Sequence, residues 1–97
     1  MLYDLVQKYP DCRWEVVRDA MAADHRIGRT HLDPIHKSGR GAGGHCFVKD
    51  FEAFRKLYKS KLDDIKGDHL LGDMVTRNLK YLEDSDKDLD IVRGVYD

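Results

Sequence analysis

Between Gly39 and Gly44 this chain cannot continue as a helix, and that break divides everything on either side of it. The stretch reads Gly39-Arg40-Gly41-Ala42-Gly43-Gly44-His45-Cys46-Phe47-Val48-Lys49-Asp50. Glycine is the poorest helix former after proline, and four of them within six residues force a loop. Glycines also let a backbone approach a ligand and adopt dihedrals that other residues avoid. A thiol follows at the head of what reads as a helix, where the dipole and unpaired N–H groups favour the thiolate. The combination reads as a nucleophile beside an anion-binding loop.

The flanks are helical. Leu2, Leu5, Val6 and Tyr9 follow a helical spacing that starts in mid-pattern, as the end of a longer helix would. Pro10-Asp11 breaks it, and Asp11 is placed to cap a second helix with Trp14, Val17, Ala20 and Met21 on one face. From Asp24 to Lys49 no period is sustained. A loop of that length in a small domain is functional or disordered, and Ile27, Leu32, Ile35 and Phe47 are candidate anchors for an ordered one. Asp50 is placed to cap a third helix, with Phe51, Phe54, Leu57, Tyr58, Leu62 and Ile65 as its buried stripe. Lys66-Gly67-Asp68 then ends that helix and starts a fourth.

The fourth carries Leu70, Leu71, Met74, Val75, Asn78, Leu79 and Leu82. A stripe that wide can face its own domain on one side and a second chain on the other. Asn78 within it suits a register-setting contact at an interface or exposure at the stripe's edge. Glu83 to Lys87 reads as a turn, and Leu89 to Tyr96 as a last short helix or a linker. No stretch reads as a strand. The expectation is an all-α fold of four to five helices with a long Gly-rich loop, in one domain spanning residues 1–97.

Composition limits the partners. The 97 residues are 41% hydrophobic and 36% charged, with a net charge of −1. That balance gives no global pull toward nucleic acid or membrane, and no apolar run approaches the roughly 18 residues needed to span a bilayer. Charge is locally uneven. Arg26, Arg29, Lys37, Arg40 and Lys49 face the single acid Asp33, whereas Glu83, Asp84, Asp86, Asp88, Asp90 and Asp97 face only Lys87 and Arg93. An anionic ligand therefore belongs with the glycines. Cys12 and Cys46 sit in unrelated contexts and form no disulfide framework, and no signal segment precedes them, so a cytoplasmic location is expected.

Several other chemistries weigh less. Gly39, Gly41 and Gly44 match G-x-G-x-x-G only formally, because Ile35-His36-Lys37-Ser38 is not the buried strand of a βαβ unit. His25, His31, His36 and His45 with Cys46 match no zinc spacing, so no metal is expected. No aromatic interleaving or recognition helix accompanies the basic loop, so nucleic acid is not expected either. Cysteine-protease chemistry would need a histidine base held by Asn or Asp. Cys12 reads as a small packing residue. For Cys46 the same reading stands beside the nucleophilic one.

The segment Gly41 to Asp50 resembles the cysteine signature of the UDP-glucose/GDP-mannose dehydrogenases, Gly-Phe-Gly-Gly-Ser-Cys-Phe-x-Lys-Asp in common form. Ala42 and His45 depart from it. Asp24-His25-Arg26-Ile27-Gly28 is similar to the family's Arg-Ile-Gly segment, and Leu2-Tyr3-Asp4-Leu5 to the end of its central helix. The resemblance spans nearly the whole chain but only the middle domain of a three-part enzyme.

In that family NAD oxidises a sugar C6 alcohol twice, to a carboxylate, through a cysteine-bound thiohemiacetal and thioester. The resemblance implies that Cys46 is the nucleophile and that Asp50 orients water and assists proton transfer. It implies that Gly41, Gly43 and Gly44 turn backbone N–H groups toward the substrate, and gives Lys49 a structural or electrostatic role. His31 and Leu32 are implied as backbone contacts to the nucleotide-sugar. Arg26 is implied to reach the neighbouring subunit's sugar in a dimer. The loop from Arg26 to Cys46 is longer than in many relatives, which affects His31, His36 and Lys37. No residues here are expected to bind NAD, since the Rossmann and C-terminal nucleotide-sugar domains lie outside the segment. The expectation is a central domain that is inactive alone and forms a homodimer through its C-terminal helices. A stand-alone helical dimerisation module or a non-catalytic anion-binding module is the alternative.

Overall fold

The computed structural model describes residues 1–36 and 39–96, except for the side chain of His45. Lys37 and Asp97, which figure in the charge pattern above, and Ser38 lie outside the described residues. The chain divides into two compact units, Met1–Pro34 and Ile35–Asp97.

In the first unit, α1 (Leu2–Val6) and α2 (Trp14–Ala22) are joined through Pro10. Val6 is buried, and Tyr3 meets Trp14 edge-on with ring centroids 5.7 Å apart. Trp14, Val17 and Met21 form the half-buried face of α2. Asp11 does not cap that helix. The N-cap is Arg13, which makes no side-chain cap bond. Cys12 is exposed, not packed. Beyond α2 the backbone is held by charge. The Asp24 carboxylate accepts from the Arg26 backbone amide at 2.9 Å and from its guanidinium at 2.7 and 3.0 Å. Arg18 bridges Asp19 and Asp33, and Arg29 joins Asp19 at 3.0 Å. The Arg18 side chain beside it holds the Asp19 carboxyl below the ordinary value, as Arg26 does for Asp24.

The second unit opens with two two-residue strands, β1 (Ile35–His36) and β2 (Gly39–Arg40). They are antiparallel, with Ile35 opposite Arg40 and His36 opposite Gly39. Three helices follow: α3 (His45–Lys61), α4 (Ile65–Asp84) and α5 (Leu89–Tyr96). Helix α3 touches α4 and α5, and α4 also carries β2 against its C-terminal part. Val48, Val75, Leu82 and Val92 are its buried apolar residues, one or two from each helix. The fold is helical as expected, with the small strand pair added.

Two boundaries moved. Asp50 lies one turn inside α3, not at its start, because Gly44 with φ 88° and ψ 150° ends the loop and begins the helix five residues earlier. Helix α3 stops at Lys61, and Asp64, not the Lys66-Gly67-Asp68 segment, restarts the chain. Its carboxylate caps α4 by accepting from the Gly67 amide at 3.0 Å and from the Tyr58 hydroxyl at 2.5 Å. The Tyr58 hydroxyl, followed by the Gly67 amide, lowers the Asp64 pKa from its ordinary 3.8. A carboxylate with a depressed native pKa stabilises the fold above its unfolded value, and this is lost as pH falls through the native one. Asp64→Asn is expected to flatten the acid limb of an unfolding curve below about pH 4. Thermal melts of both proteins between neutral pH and pH 2 check this. An unchanged acid limb would refute it.

The α3 stripe is also corrected. Val48 and Glu52 are buried and Phe51, Arg55 and Tyr58 half-buried, whereas Phe54, Leu57, Leu62 and Ile65 are exposed. The helix turns a mixed face inward, where Glu52 is satisfied by Arg55 at 3.2 Å. Its most apolar positions point away from the unit's own core. On α4 the wide stripe splits, with Val75 and Leu82 buried and Leu70 and Met74 exposed.

Candidate functional site

Cys46 lies in the first turn of α3, exposed and unbridged, so the reading of it as a buried packing residue falls. Asp50 is four residues further along the same helix, the spacing at which side chains share a face. It too is exposed, as is Lys49, which lines an open groove of about 660 Å³ between α3 and α5 together with Glu52, Lys56 and Asp90. Immediately before the helix run Gly41, Gly43 and Gly44. The second unit thus brings together Gly41, Gly43, Gly44, Cys46, Lys49 and Asp50. Arg26, His31 and Leu32 belong to the first unit. There Arg26 is paired with Asp24 and its side chain is largely exposed, His31 is exposed, and Leu32 is half-buried.

The loop's anchors are not Ile27, Ile35 or Phe47, all of which are at least half exposed. They are polar side chains from the far end of the unit. The Arg40 amide donates to Ser85 Oγ at 2.8 Å, the Ala42 amide to Asn78 Oδ1 at 2.6 Å, and the Gly44 amide to Asp88 Oδ2 at 2.8 Å. In return Asn78 Nδ2 donates to the Ala42 carbonyl at 2.8 Å, and Lys87 Nζ to the Gly41 carbonyl at 2.9 Å. Asn78, half-buried at the stripe's edge, thus spends both amide atoms on the loop. Its amide group completes the backbone pairing of a loop residue as a strand would.

Between these bonds the glycines sit where a side chain has no room. A Cβ at Gly39 would lie 2.7 Å from Lys87 Cβ, one at Gly41 would lie 3.0 Å from Leu82 Cγ, and one at Gly43 would run into the Asp88 carboxylate. Gly44 has open space and is glycine for its dihedrals alone, in a region almost closed to other residues. Three of the four loop glycines are thus explained first by close packing on α4 and the turn after it. Sequence reading missed Ser85, Lys87 and Asp88 because their loop partners lie more than 40 residues away.

Among the described residues no cluster of three or more His, Cys, Asp or Glu could hold a metal ion. No helix among the described residues is long and apolar enough to cross a membrane.

The second unit thus presents an exposed cysteine at a helix start, behind a clamped glycine loop. The sequence model of the UDP-glucose/GDP-mannose dehydrogenase family, central domain, matches residues 1–69. The chain belongs to that family. Comparisons with curated proteins and with solved structures gave no match.

Proposed function

We propose that this chain is the central domain of an NAD-dependent nucleotide-sugar 6-dehydrogenase of the UDP-glucose to UDP-glucuronate type. In this reading it supplies the cysteine nucleophile and the dimer interface and is inactive alone. The observation that carries the proposal is Cys46, exposed in the first turn of α3 with Asp50 one turn on. The helix start offers unpaired N–H groups and a positive dipole end to a developing negative charge. A thiolate there can add to the aldehyde carbon of a half-oxidised sugar, which is the chemistry that calls for cysteine. In the full enzyme a hydride acceptor would oxidise the resulting thiohemiacetal to a thioester, and Asp50 would accept a proton from the water that hydrolyses it.

Gly41, Gly43 and Gly44 would border the substrate, with Lys49 nearby; the family resemblance adds backbone contacts from His31 and Leu32, and an Arg26 that reaches the neighbouring subunit's sugar in a dimer. A dinucleotide site needs a parallel strand leading into a glycine turn and helix. The residues present do not fit one, since the sheet among the described residues is a two-residue antiparallel pair. NAD would be held outside this segment. Two free exposed cysteines suit a reducing compartment such as the cytoplasm.

The homodimer reading rests on apolar side chains exposed along α3 and α4. Phe54, Leu57, Leu70 and Met74 are each at least half exposed. A second copy of the same face would cover them. Sedimentation equilibrium reads this directly, and a monomer at tens of micromolar would refute it.

The nucleophile is tested by alkylation. Cys12 and Cys46 are both exposed, so accessibility does not separate them. Iodoacetamide at neutral pH is expected to modify Cys46 about two- to fivefold faster, the factor a helix terminus typically supplies. Peptide mapping over time reports the ratio. Equal rates would favour the second reading, a helical module without catalysis.

A further inference from the structure

The polar clamp on the glycine loop comes from residues 78–88, past the segment matched by the family model. Within the clamp Asp88 is singular. Its carboxylate accepts from the amide of Gly44, the residue that caps α3, two positions before Cys46. Asp88 and Asp86 both hold positive φ, 53° and 54°, on either side of the buried Lys87. Asp tolerates that conformation better than most residues, but a turn using it twice is shaped for what it holds. Lys87 lies along Gly39 and bonds the Gly41 carbonyl, so the turn grips the loop at its beginning and at its end.

We infer that Asp88 is a positioning residue for the nucleophile: by holding the Gly44 amide it fixes the first turn of α3, and with it the place of the Cys46 thiol. This rests on the reading of Cys46 as the nucleophile. The negative charge of Asp88 also sits at the positive end of α3, which favours the helix start. The hydrogen bond is separable from that charge, because asparagine keeps an acceptor oxygen at the same reach while alanine keeps neither.

The test uses the full chain carrying Cys12→Ser, with Asp88→Asn and Asp88→Ala compared. Amide exchange at Gly44 is expected to be about tenfold faster in Asp88→Ala than in Asp88→Asn, the factor expected for losing one hydrogen bond. Exchange in the middle of α4 should differ little between the two. Iodoacetamide should modify Cys46 at least about threefold more slowly in Asp88→Ala than in Asp88→Asn, since both lack the charge and only one keeps the bond. Equal alkylation and equal Gly44 exchange in the two variants would overturn the inference. So would exchange that rises uniformly across α3 and α4, which marks lost stability rather than lost position. If Asp88→Ala does not fold, Asp88→Ser, one bond too short to reach, takes its place in the same comparison. Unselective alkylation of the unmodified chain, with Gly44 protection still dependent on the acceptor, would sink the nucleophile reading and leave the clamp standing.

Discussion

Replacing Leu82 with alanine is expected to be the most damaging single truncation in this protein, costing about 2–5 kcal/mol. Leu82 is wholly shielded from solvent, the one large side chain among the described residues of which this is true. It also forms the floor of the glycine loop, close to both Gly41 and Gly43. Truncating it therefore leaves a cavity on the side where the loop lies and removes apolar support from beneath Gly41 and Gly43. Small domains have total stabilities of about 5–15 kcal/mol, so the loss would be a large fraction of the whole. Urea unfolding followed by far-UV circular dichroism measures it. Leu70→Ala is the control: Leu70 is 63% exposed, and a change of no more than about 0.5 kcal/mol is expected for the monomer. A loss below about 1 kcal/mol for Leu82→Ala would mean that the loop does not depend on this floor.

The same residues show what could be read from sequence. That Leu82 belongs to a helical apolar stripe is visible from its spacing with Val75 and Leu79, since periodicity is a local property of the chain. That it supports the loop is not visible, because Gly41 lies far away and glycine has no side chain to announce a contact. Asn78 interrupts the stripe and was legible as a polar residue with a special task. Its partner, the Ala42 backbone, left no mark in the sequence. The beginning of α3 was misplaced for a similar reason. Asp50 is the residue type that caps helices locally, but the helix is begun by a Gly44 conformation stabilised by Asp88, 44 residues on. Phe54 and Leu57 were legible as one face of an amphipathic helix. Which face a chain buries against itself depends on tertiary neighbours, and here Glu52 with Arg55 went inward. That a thiol stands exposed near a helix start was the reverse case, legible because it is built from neighbours in sequence.

Gly41→Ala and Gly44→Ala are expected to separate the two reasons the loop is glycine-rich. Both positions have positive φ, 94° and 88°, so each substitution strains the backbone by about 1–3 kcal/mol. Gly44→Ala meets nothing within 4 Å and should cost that strain alone. Gly41→Ala must also push against Leu82 Cγ at 3.0 Å and Tyr81 Cβ at 3.1 Å. Overpacking of this kind adds about 1–3 kcal/mol. Its total should therefore exceed that of Gly44→Ala in the same urea titration, and equal losses would refute the packing account. The consequences for Cys46 run the other way. Gly44 begins the helix that carries the thiol, so Gly44→Ala should change the alkylation rate at smaller cost in stability, while Gly41→Ala should chiefly weaken the fold. Combining Gly41→Ala with Leu82→Ala gives the sharpest form of the argument. If the glycine is there to admit Leu82, the cavity left by truncation should accept the new methyl group. The double variant should then be less destabilised than the sum of its parts by about 0.5–3 kcal/mol, the range for residues in direct contact. Strict additivity would mean that Gly41 is required by its backbone conformation and not by the side chain beneath it.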